Sequence, residues 1–101
     1  MTPEQFKGYA CADYFDSVAF PEGIWSERDQ LWLILPSAEV FERSGEKFLV
    51  IGRPGVDGIE FGYRRELDGV WAYYPFTREF LKLAPNVKSL VEGWNGGTIT
   101  V

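Results

Sequence analysis

The sequence predicts a small α+β domain in which antiparallel strands are followed by an amphipathic helix. Residues 48–75 (FLVIGRPGVDGIEFGYRRELDGVWAYYP) contain three short apolar runs separated by Asp57-Gly58 and Asp68-Gly69. Asp-Gly between apolar runs indicates tight hairpin turns, because both residues tolerate the positive φ that such turns require. Residues 87–94 then place apolar side chains at the i, i+3, i+4, i+7 spacing of a helix with one buried stripe.

The first 30 residues carry weaker signals. Residues 2–15 are expected to begin with a helix, for which Thr2 is the N-cap and Pro3 the first helical residue. Gly8 argues against a long helix there. The following segment is ambiguous apart from a type I turn expected at residues 20–23 (FPEG).

Two buried strands are predicted in the middle of the chain. Residues 31–35 (LWLIL) are continuously apolar, which predicts a strand buried on both faces that ends at Pro36. Ser37 is then expected to cap a short helix over 38–42. The next buried strand is predicted over 48–51.

Alternation predicts an antiparallel strand after the first Asp-Gly turn. From Ile59 to Tyr63 the odd-numbered residues are apolar, and Glu60 and Arg64 lie on the other face. A period of two with one polar face is typical of a strand with one side in water. Residues 70–74 are its predicted partner.

Two helices are predicted after Pro75. Thr77 is expected to cap a helix over 78–83, and Asn86 to cap the helix over 87–94, which Gly93, Gly96 and Gly97 end. Residues 98–101 are expected to add an edge strand or to lie against the core.

Length and composition are those of one globular domain. The 101 residues are 46% apolar and 17% aromatic, enough for one packed core without disulfides. The longest apolar runs are far below the roughly 20 residues of a membrane-spanning helix. The segment MTPEQF has no secretory signal, and Cys11 is the single cysteine, so a cytoplasmic location is expected.

The negative charge lies in the first half of the chain. Residues 1–46 hold nine acids and three bases and residues 47–101 hold six acids and seven bases, so the two parts carry −6 and +1. An acidic segment repels phosphate backbones, which disfavours direct nucleic-acid binding. Such a charge would attract a basic protein partner and speed encounter with it, but plain solubility is the favoured explanation.

No pattern in the sequence predicts catalysis, a metal or a cofactor. The chain has no histidine, which removes the commonest general base and the usual triads. Cys11 has no neighbour to activate it and is expected to be buried. The acids of the strand region sit on turns and strand faces where solvated carboxylates are ordinary. They are Asp57, Glu60, Glu66 and Asp68.

Arginines in the second half raise the possibility of a basic spot. Arg64 and Arg65, with Arg53 and Arg78, lie near Tyr63 and Tyr73, a mixture that single-strand nucleic-acid platforms use. Strand alternation sends Arg64 and Arg65 to opposite faces. Pairing of these arginines with Glu60 and Glu66 across the hairpin is the stronger interpretation.

Trp25 is the tryptophan expected to be exposed. Trp71 and Trp94 fit core positions, Trp32 lies on the predicted buried strand, and Trp25 falls in an acidic, turn-rich segment. An exposed aromatic among acids suits a protein interface, and burial under a loop is an equal alternative. The predicted partner-binding residues are Asp13, Asp16, Glu22, Trp25, Glu27 and Asp29.

Residues 48–75 resemble the central part of the SUKH superfamily, which includes cell-wall-assembly-regulator-like domains and immunity proteins. There an apolar strand ends in Ile-Gly, as at residues 51–52, before a Gly-rich turn, an alternating strand and a further strand. Residues 84–94 (APNVKSLVEGW) resemble the closing helix, and residues 31–42 (LWLILPSAEVFE) the strand and helix that precede the Ile-Gly strand. Residues 1–30 depart from the longer helical segment and Asn-Gly-Gly-like turn of the family, so residues 1–101 read as one SUKH-like domain with a divergent amino-terminal segment.

The resemblance implies a mostly antiparallel sheet with helices packed on one face. It also implies a binding role, since many bacterial members resemble immunity proteins that block toxin domains, often nucleases or deaminases. The first hypothesis is therefore a non-enzymatic protein-binding domain that neutralises a basic toxin by steric and electrostatic blockade. Two alternatives stay open: a ligand-binding domain or carboxylate-based enzyme with a Trp- and Tyr-lined pocket, and a homodimeric subunit that pairs through a free strand edge.

Overall fold

The computed structural model describes residues 2–55 and 57–101, which form seven strands and two α-helices. The strands are β1 (Ile24–Ser26), β2 (Leu31–Ile34), β3 (Phe41–Arg43), β4 (Phe48–Gly52), β5 (Glu60–Arg64), β6 (Val70–Tyr74) and β7 (Glu79–Ala84). The helices are α1 (Ala12–Phe15) and α2 (Val87–Asn95). Short 3₁₀ helices lie at Glu4–Phe6, Phe20–Glu22 and Ser37–Glu39.

The strands form two antiparallel sheets. Strands β3 to β7 follow one another in a five-stranded meander, and β1 and β2 form a separate hairpin. This arrangement confirms the predicted α+β class with a mostly antiparallel sheet in one small domain. The edges of the larger sheet are β3 and β7, so the alternating strand β5 lies at its centre and has no free edge.

One face of the five-stranded sheet carries the main core. Leu49 of β4 and Phe61 of β5 pack there in one cluster with Tyr14 of α1 and Leu90 of α2, each wholly buried. Both α-helices therefore cover the same face. The amino-terminal segment belongs to this core as well, since Phe6 and Cys11 are part of the same cluster.

The opposite face holds a second, smaller cluster, which corrects the prediction that this face lies in water. Phe48, Val50 and Tyr73 are buried there with Leu35. Glu60 is 4% exposed rather than solvated. Its carboxylate accepts two hydrogen bonds from the Arg43 guanidinium on β3, and this bidentate pair offsets the cost of burying the charge.

The predicted strands and the closing helix of the second half are confirmed. Strands β4, β5 and β6 lie within residues 48–75, and Asp57 and Gly58 both adopt positive φ, 47° and 73°. Asn86 caps α2, since its side-chain oxygen accepts a hydrogen bond from the Ser89 backbone N–H at 2.8 Å. The turn expected at residues 20–23 is confirmed as the 3₁₀ turn Phe20–Glu22, which the Gly23 N–H closes by donating to the Phe20 carbonyl at 2.9 Å.

The helix predicted over 78–83 is wrong, because these residues form β7. Arg78 has φ 58°, which ends the turn and sends the chain back antiparallel to β6. Phe80 then lies opposite Tyr73, with 4.9 Å between ring centroids. Pairing along a whole strand outweighs the local capping signal of Thr77.

Two further predictions are corrected at element ends, and one of the two alternatives for residues 98–101 is confirmed. The helix expected over 38–42 is a single 3₁₀ turn, Ser37–Glu39, followed by β3, because Phe41 lies opposite Val50 of β4. Of the two alternatives for residues 98–101, the edge strand is not formed and packing against the core is confirmed, since Ile99 and Val101 pack against the main cluster. The first helical residues are a 3₁₀ turn, Glu4–Phe6, and the α-helix α1 comes later.

The carboxylate of Asp13 joins the two helices and the sheet. One of its oxygens accepts a hydrogen bond from the Tyr63 hydroxyl of β5 at 2.9 Å. The other accepts from the backbone N–H of Val87, the first residue of α2, at 2.8 Å. The negative charge also lies at the positive end of the α2 dipole.

Replacing Asp13 by Ala is expected to lower the free energy of unfolding by about 2–4 kcal/mol, because it orphans the buried Tyr63 hydroxyl and removes a cap. Urea denaturation checks this value. Glu92→Ala, on the exposed side of α2, is the matched control and is expected to change stability by less than about 0.5 kcal/mol. The double variant Asp13→Ala/Tyr63→Phe should be more stable than Asp13→Ala, and an equal or lower stability would contradict the bond.

Three tyrosines keep their protons well above the ordinary range. Burial raises the pKa of Tyr14 to about 12, and its hydroxyl donates to the Leu35 carbonyl at 2.6 Å. Burial and the neighbouring Glu42 carboxylate raise the pKa of Tyr9 to about 12. The pKa of Tyr63 is raised further, by burial first and then by Asp13.

Stability is therefore expected to fall at alkaline pH. Below the ordinary tyrosine pKa of 10.0 the folded and unfolded chains both hold these protons, so the stability is fully present. As the pH rises from 10 to about 12 only the unfolded chain ionises, and folding becomes progressively less favourable. Urea denaturation at several pH values, with phenolate absorbance as the second readout, checks this. Tyr14→Phe should lose less stability over that interval, and an equal loss would contradict the assignment.

Candidate protein-binding site

The β1–β2 hairpin presents two tryptophans side by side. Trp25 of β1 lies opposite Trp32 of β2, and their rings meet edge to face with 5.4 Å between centroids. Trp25 is 41% exposed and Trp32 37% exposed, so an aromatic pair stands on the surface. Such a pair is more favourable than the buried area alone would give, because the ring quadrupoles are complementary.

Trp25 is exposed, as predicted. The prediction that Trp32 is buried is wrong. Residues 31–35 were expected to be buried on both faces, and this holds for residues 33–35 but not for Trp32, which is 37% exposed. Leu33 and Ile34 are wholly buried while Trp32 faces outward. The sequence carries a signal for this: Trp25 and Trp32 stand two residues outside the turn at residues 27–30, which pairs them across a hairpin.

The hairpin is held firmly to the larger sheet. The Leu35 N–H donates to the Ile51 carbonyl at 2.7 Å, and the Arg53 N–H donates to the Trp32 carbonyl at 3.3 Å. Gly52 lies so close to the Leu33 carbonyl that a side chain there would collide with it. Backbone hydrogen bonds at Ile51 and Arg53, around the end of β4, therefore fix the orientation of the tryptophan pair.

Asp29 connects the hairpin turn to α2. Its carboxylate accepts a hydrogen bond from the Trp94 indole N–H at 3.1 Å and from the Ser26 hydroxyl at 3.0 Å. The Arg28 guanidinium beside it lowers the pKa of Asp29, and the Trp94 N–H adds to this effect. Asp29 therefore orders the turn from which the tryptophans extend.

The structure gathers four of the six predicted site residues at the hairpin. Glu22 precedes β1, Glu27 and Asp29 lie in the turn, and Trp25 lies between them. Asp13 is instead committed to Tyr63 and to α2. Asp16 lies exposed at the end of α1. Trp32 is the member of the site that the sequence interpretation missed.

The clefts of the described residues offer little for an acid–base pair. One of about 670 Å³ lies at the β6–β7 turn and is mainly apolar. Its described lining residues are Asp57, Ile59, Tyr74, Pro75, Phe76, Thr77 and Val101. Asp57 is the acid among them, and no group of three or more Asp, Glu, Cys or His residues clusters within residues 2–55 and 57–101.

Cys11 is buried, as predicted. Burial raises the pKa of its thiol, which keeps it protonated and unreactive at neutral pH. Over the part of the chain that the structure describes, no helix has the length and apolar content needed to cross a membrane.

Comparisons with family models, with curated proteins and with solved structures found no significant match to this chain. The role of the hairpin is therefore inferred from its own residues: two exposed indole rings, a rigid attachment and nearby carboxylates.

The bond between Asp29 and Trp94 is expected to break only in strong acid. Because the pKa of Asp29 is lowered on folding, its contribution to stability is present above the ordinary value of 3.8 and is lost as the pH falls through the lower folded value. The NMR resonance of the Trp94 indole N–H should shift with a midpoint below 3.8. Asp29→Asn should abolish that shift and Glu27→Gln should keep it. A midpoint at or above 3.8 would contradict the interaction.

Proposed function

We propose that this protein is a cytoplasmic, non-enzymatic domain that binds another protein, with the immunity role that its resemblance to the SUKH superfamily implies. In this role it neutralises a basic toxin domain by covering it. The observation that carries the proposal is the exposed Trp25–Trp32 pair, fixed on a hairpin and flanked by Glu22 and Glu27.

Tryptophans in this position suit the centre of an interface. A large ring with few rotatable bonds buries much apolar area and loses little conformational entropy on binding. Trp25 and Trp32 already restrain each other by their edge-to-face contact, and backbone bonds to β4 hold Trp32 in place. The pair is therefore ordered before the partner arrives, which favours affinity.

The charge around the pair favours a basic partner. Glu22 and Glu27 are exposed and lie three residues before and two residues after Trp25 in the chain, and residues 1–46 carry −6. Toxins that act on nucleic acids need cationic surfaces to bind phosphate, so an acidic surface is attracted to their substrate sites. A domain seated there would exclude the nucleic acid by its volume and repel it by its charge.

A buried thiol fits the proposed compartment. Cys11 is the single cysteine of the chain, and it is free and buried. A reducing cytoplasm keeps such thiols unpaired.

Replacing Trp25 and Trp32 by Ala is expected to weaken partner binding at least about 100-fold, because hot-spot aromatics contribute about 2 kcal/mol or more each. The partner is first captured from the native host with the wild-type domain. The affinities of purified variants for it are then compared by calorimetry. Phe76→Ala is the matched control, since Phe76 is 99% exposed and lies outside the hairpin. Equal losses for Phe76→Ala would place the interface elsewhere.

The electrostatic part has a separate readout. Glu22→Lys and Glu27→Lys should slow association and flatten its dependence on salt, whereas Glu79→Lys on β7 should do neither. Unchanged association for the hairpin variants would remove these acids from the site. A partner that contacts the hairpin through an acidic surface would contradict the proposal as a whole.

A further inference from the structure

The sheet face opposite the helices carries arginines and aromatic rings together. Strand register places Arg43 opposite Phe48, Phe48 opposite Arg64, and Gly62 opposite Trp71, so these positions share one face. Arg53, directly after β4, joins them, since its guanidinium lies 5.1 Å from the ring centre of Phe41. We call this surface the Arg face. Its residues are Arg43, Arg53, Glu60, Arg64, Trp71 and Phe80.

Arg43 and Glu60 neutralise each other within the Arg face. The Arg43 Nε and terminal nitrogen donate to the two Glu60 oxygens at 2.5 and 2.7 Å. These bonds raise the pKa of Arg43, which keeps its guanidinium charged. The Arg53 Nε is 3.8 Å from the same carboxylate, too far for a hydrogen bond. Among the described residues the Arg53 side chain forms this long ion pair and no hydrogen bond, and it lines a cleft of about 380 Å³.

Arg64 is held on aromatic rings rather than by an acid. Its guanidinium carbon lies 4.8 Å from the ring centre of Trp71 and 4.2 Å from that of Phe80. Phe80 is itself fixed by Phe48 and Tyr73, with ring centroids at 5.3 and 4.9 Å. Among the described residues no carboxylate forms an ion pair with Arg64. Contact with the two rings orders the guanidinium, and its N–H groups donate to no other side chain or backbone group of the described residues.

The Arg face is a positive region on a negative protein. Its three arginines and one glutamate give +2, whereas the whole chain carries −5, so the remaining residues carry −7. Two ordered guanidinium groups with unused donors match carboxylates, which accept two parallel hydrogen bonds from such a group. The charge and the donor geometry both select an anionic ligand.

We propose that the Arg face binds an acidic segment of a partner protein, with Arg53 and Arg64 each holding a carboxylate. This inference goes beyond the hairpin function. Arg64 lies opposite Phe48, and Arg53 follows five residues after Phe48, so the two positions are about 15 Å apart along the sheet. An extended segment spans that distance in about four or five residues. The ligand is therefore a short extended segment with acids at that spacing.

The arrangement favours an acidic peptide over a single-stranded nucleic acid. Base stacking needs an uncovered ring face, and the guanidinium of Arg64 already lies against the rings of Trp71 and Phe80. A long polyphosphate would also extend beyond the Arg face onto a surface that carries the remaining −7. A short acidic segment meets the positive region alone.

Fluorescence polarisation with a fluorescein-labelled decaglutamate peptide tests the proposal. Arg53→Gln and Arg64→Gln are each expected to weaken binding by about tenfold, the loss typical of one charged hydrogen-bond pair. Lys88→Gln is the matched control, because it removes one charge from the exposed side of α2 and should change the affinity by less than about twofold. Arg64→Lys should give an intermediate loss, since it keeps the charge but not the planar donor edge.

Two results would overturn the proposal, and a third would change the class of ligand. Failure of the wild-type protein to bind the peptide saturably at low salt would overturn the proposal, as would equal losses for Lys88→Gln and Arg64→Gln. Tighter binding of an oligothymidylate with the same number of charges would replace the acidic peptide by nucleic acid. Thermal melts of each variant show whether a loss reflects unfolding. Trp25→Ala, which lies outside the Arg face, should bind the peptide like the wild type.

Discussion

The carboxylate of Asp13 determines how the chain closes over its sheet. The amino-terminal segment, which contains Asp13, and α2 pack on the same sheet face although they lie at opposite ends of the sequence. Asp13 connects them, because its carboxylate accepts a hydrogen bond from the first residue of α2. The buried Tyr63 hydroxyl needs an acceptor and the start of α2 needs a cap, and one side chain meets both needs. Asp13 is exposed to solvent, yet its two hydrogen bonds make it part of the tertiary structure. The acidic character of the first half is therefore only partly available to a partner.

The elements that sequence reasoning recovered are those fixed by local chemistry. The Asp57-Gly58 turn needs positive φ at two successive residues, and the Asn86 cap needs only the N–H of Ser89, three residues along the chain. The helix prediction for residues 78–83 was wrong for the opposite reason. A threonine before short apolar residues is a fair helix signal, but the decisive contact of Phe80 is with Tyr73 on a neighbouring strand. Long-range pairing of this kind leaves no trace in a short window of sequence.

The residues of the candidate site show the same distinction between local sequence signals and contacts that are distant in sequence. Trp25 was identified because its neighbours in sequence are turn-forming and acidic. Trp32 was not identified, because a continuous apolar run predicts burial of every residue and does not show which side chain stays exposed. Strand alternation correctly sends Arg64 and Arg65 to opposite faces: Arg64 lies on Trp71, and Arg65 pairs with Glu42. Of the arginines expected to pair with Glu60, Arg53 lies 3.8 Å from its carboxylate. The closer partner, Arg43, was not expected, because it reaches Glu60 from two strands away, a distance that only the folded sheet defines.

The two proposed surfaces meet at the end of β4. The backbone of Arg53 donates to the carbonyl of Trp32, while its side chain extends over the Arg face. A partner with a basic region beside an acidic segment would engage both surfaces at once, and the linkage would raise its effective concentration at the second surface. The charge order then sets the orientation, because reversing the partner would oppose like charges at Glu27 and at Arg64. Opposite charges on adjoining surfaces thus favour one orientation of the complex, which neither surface alone would specify.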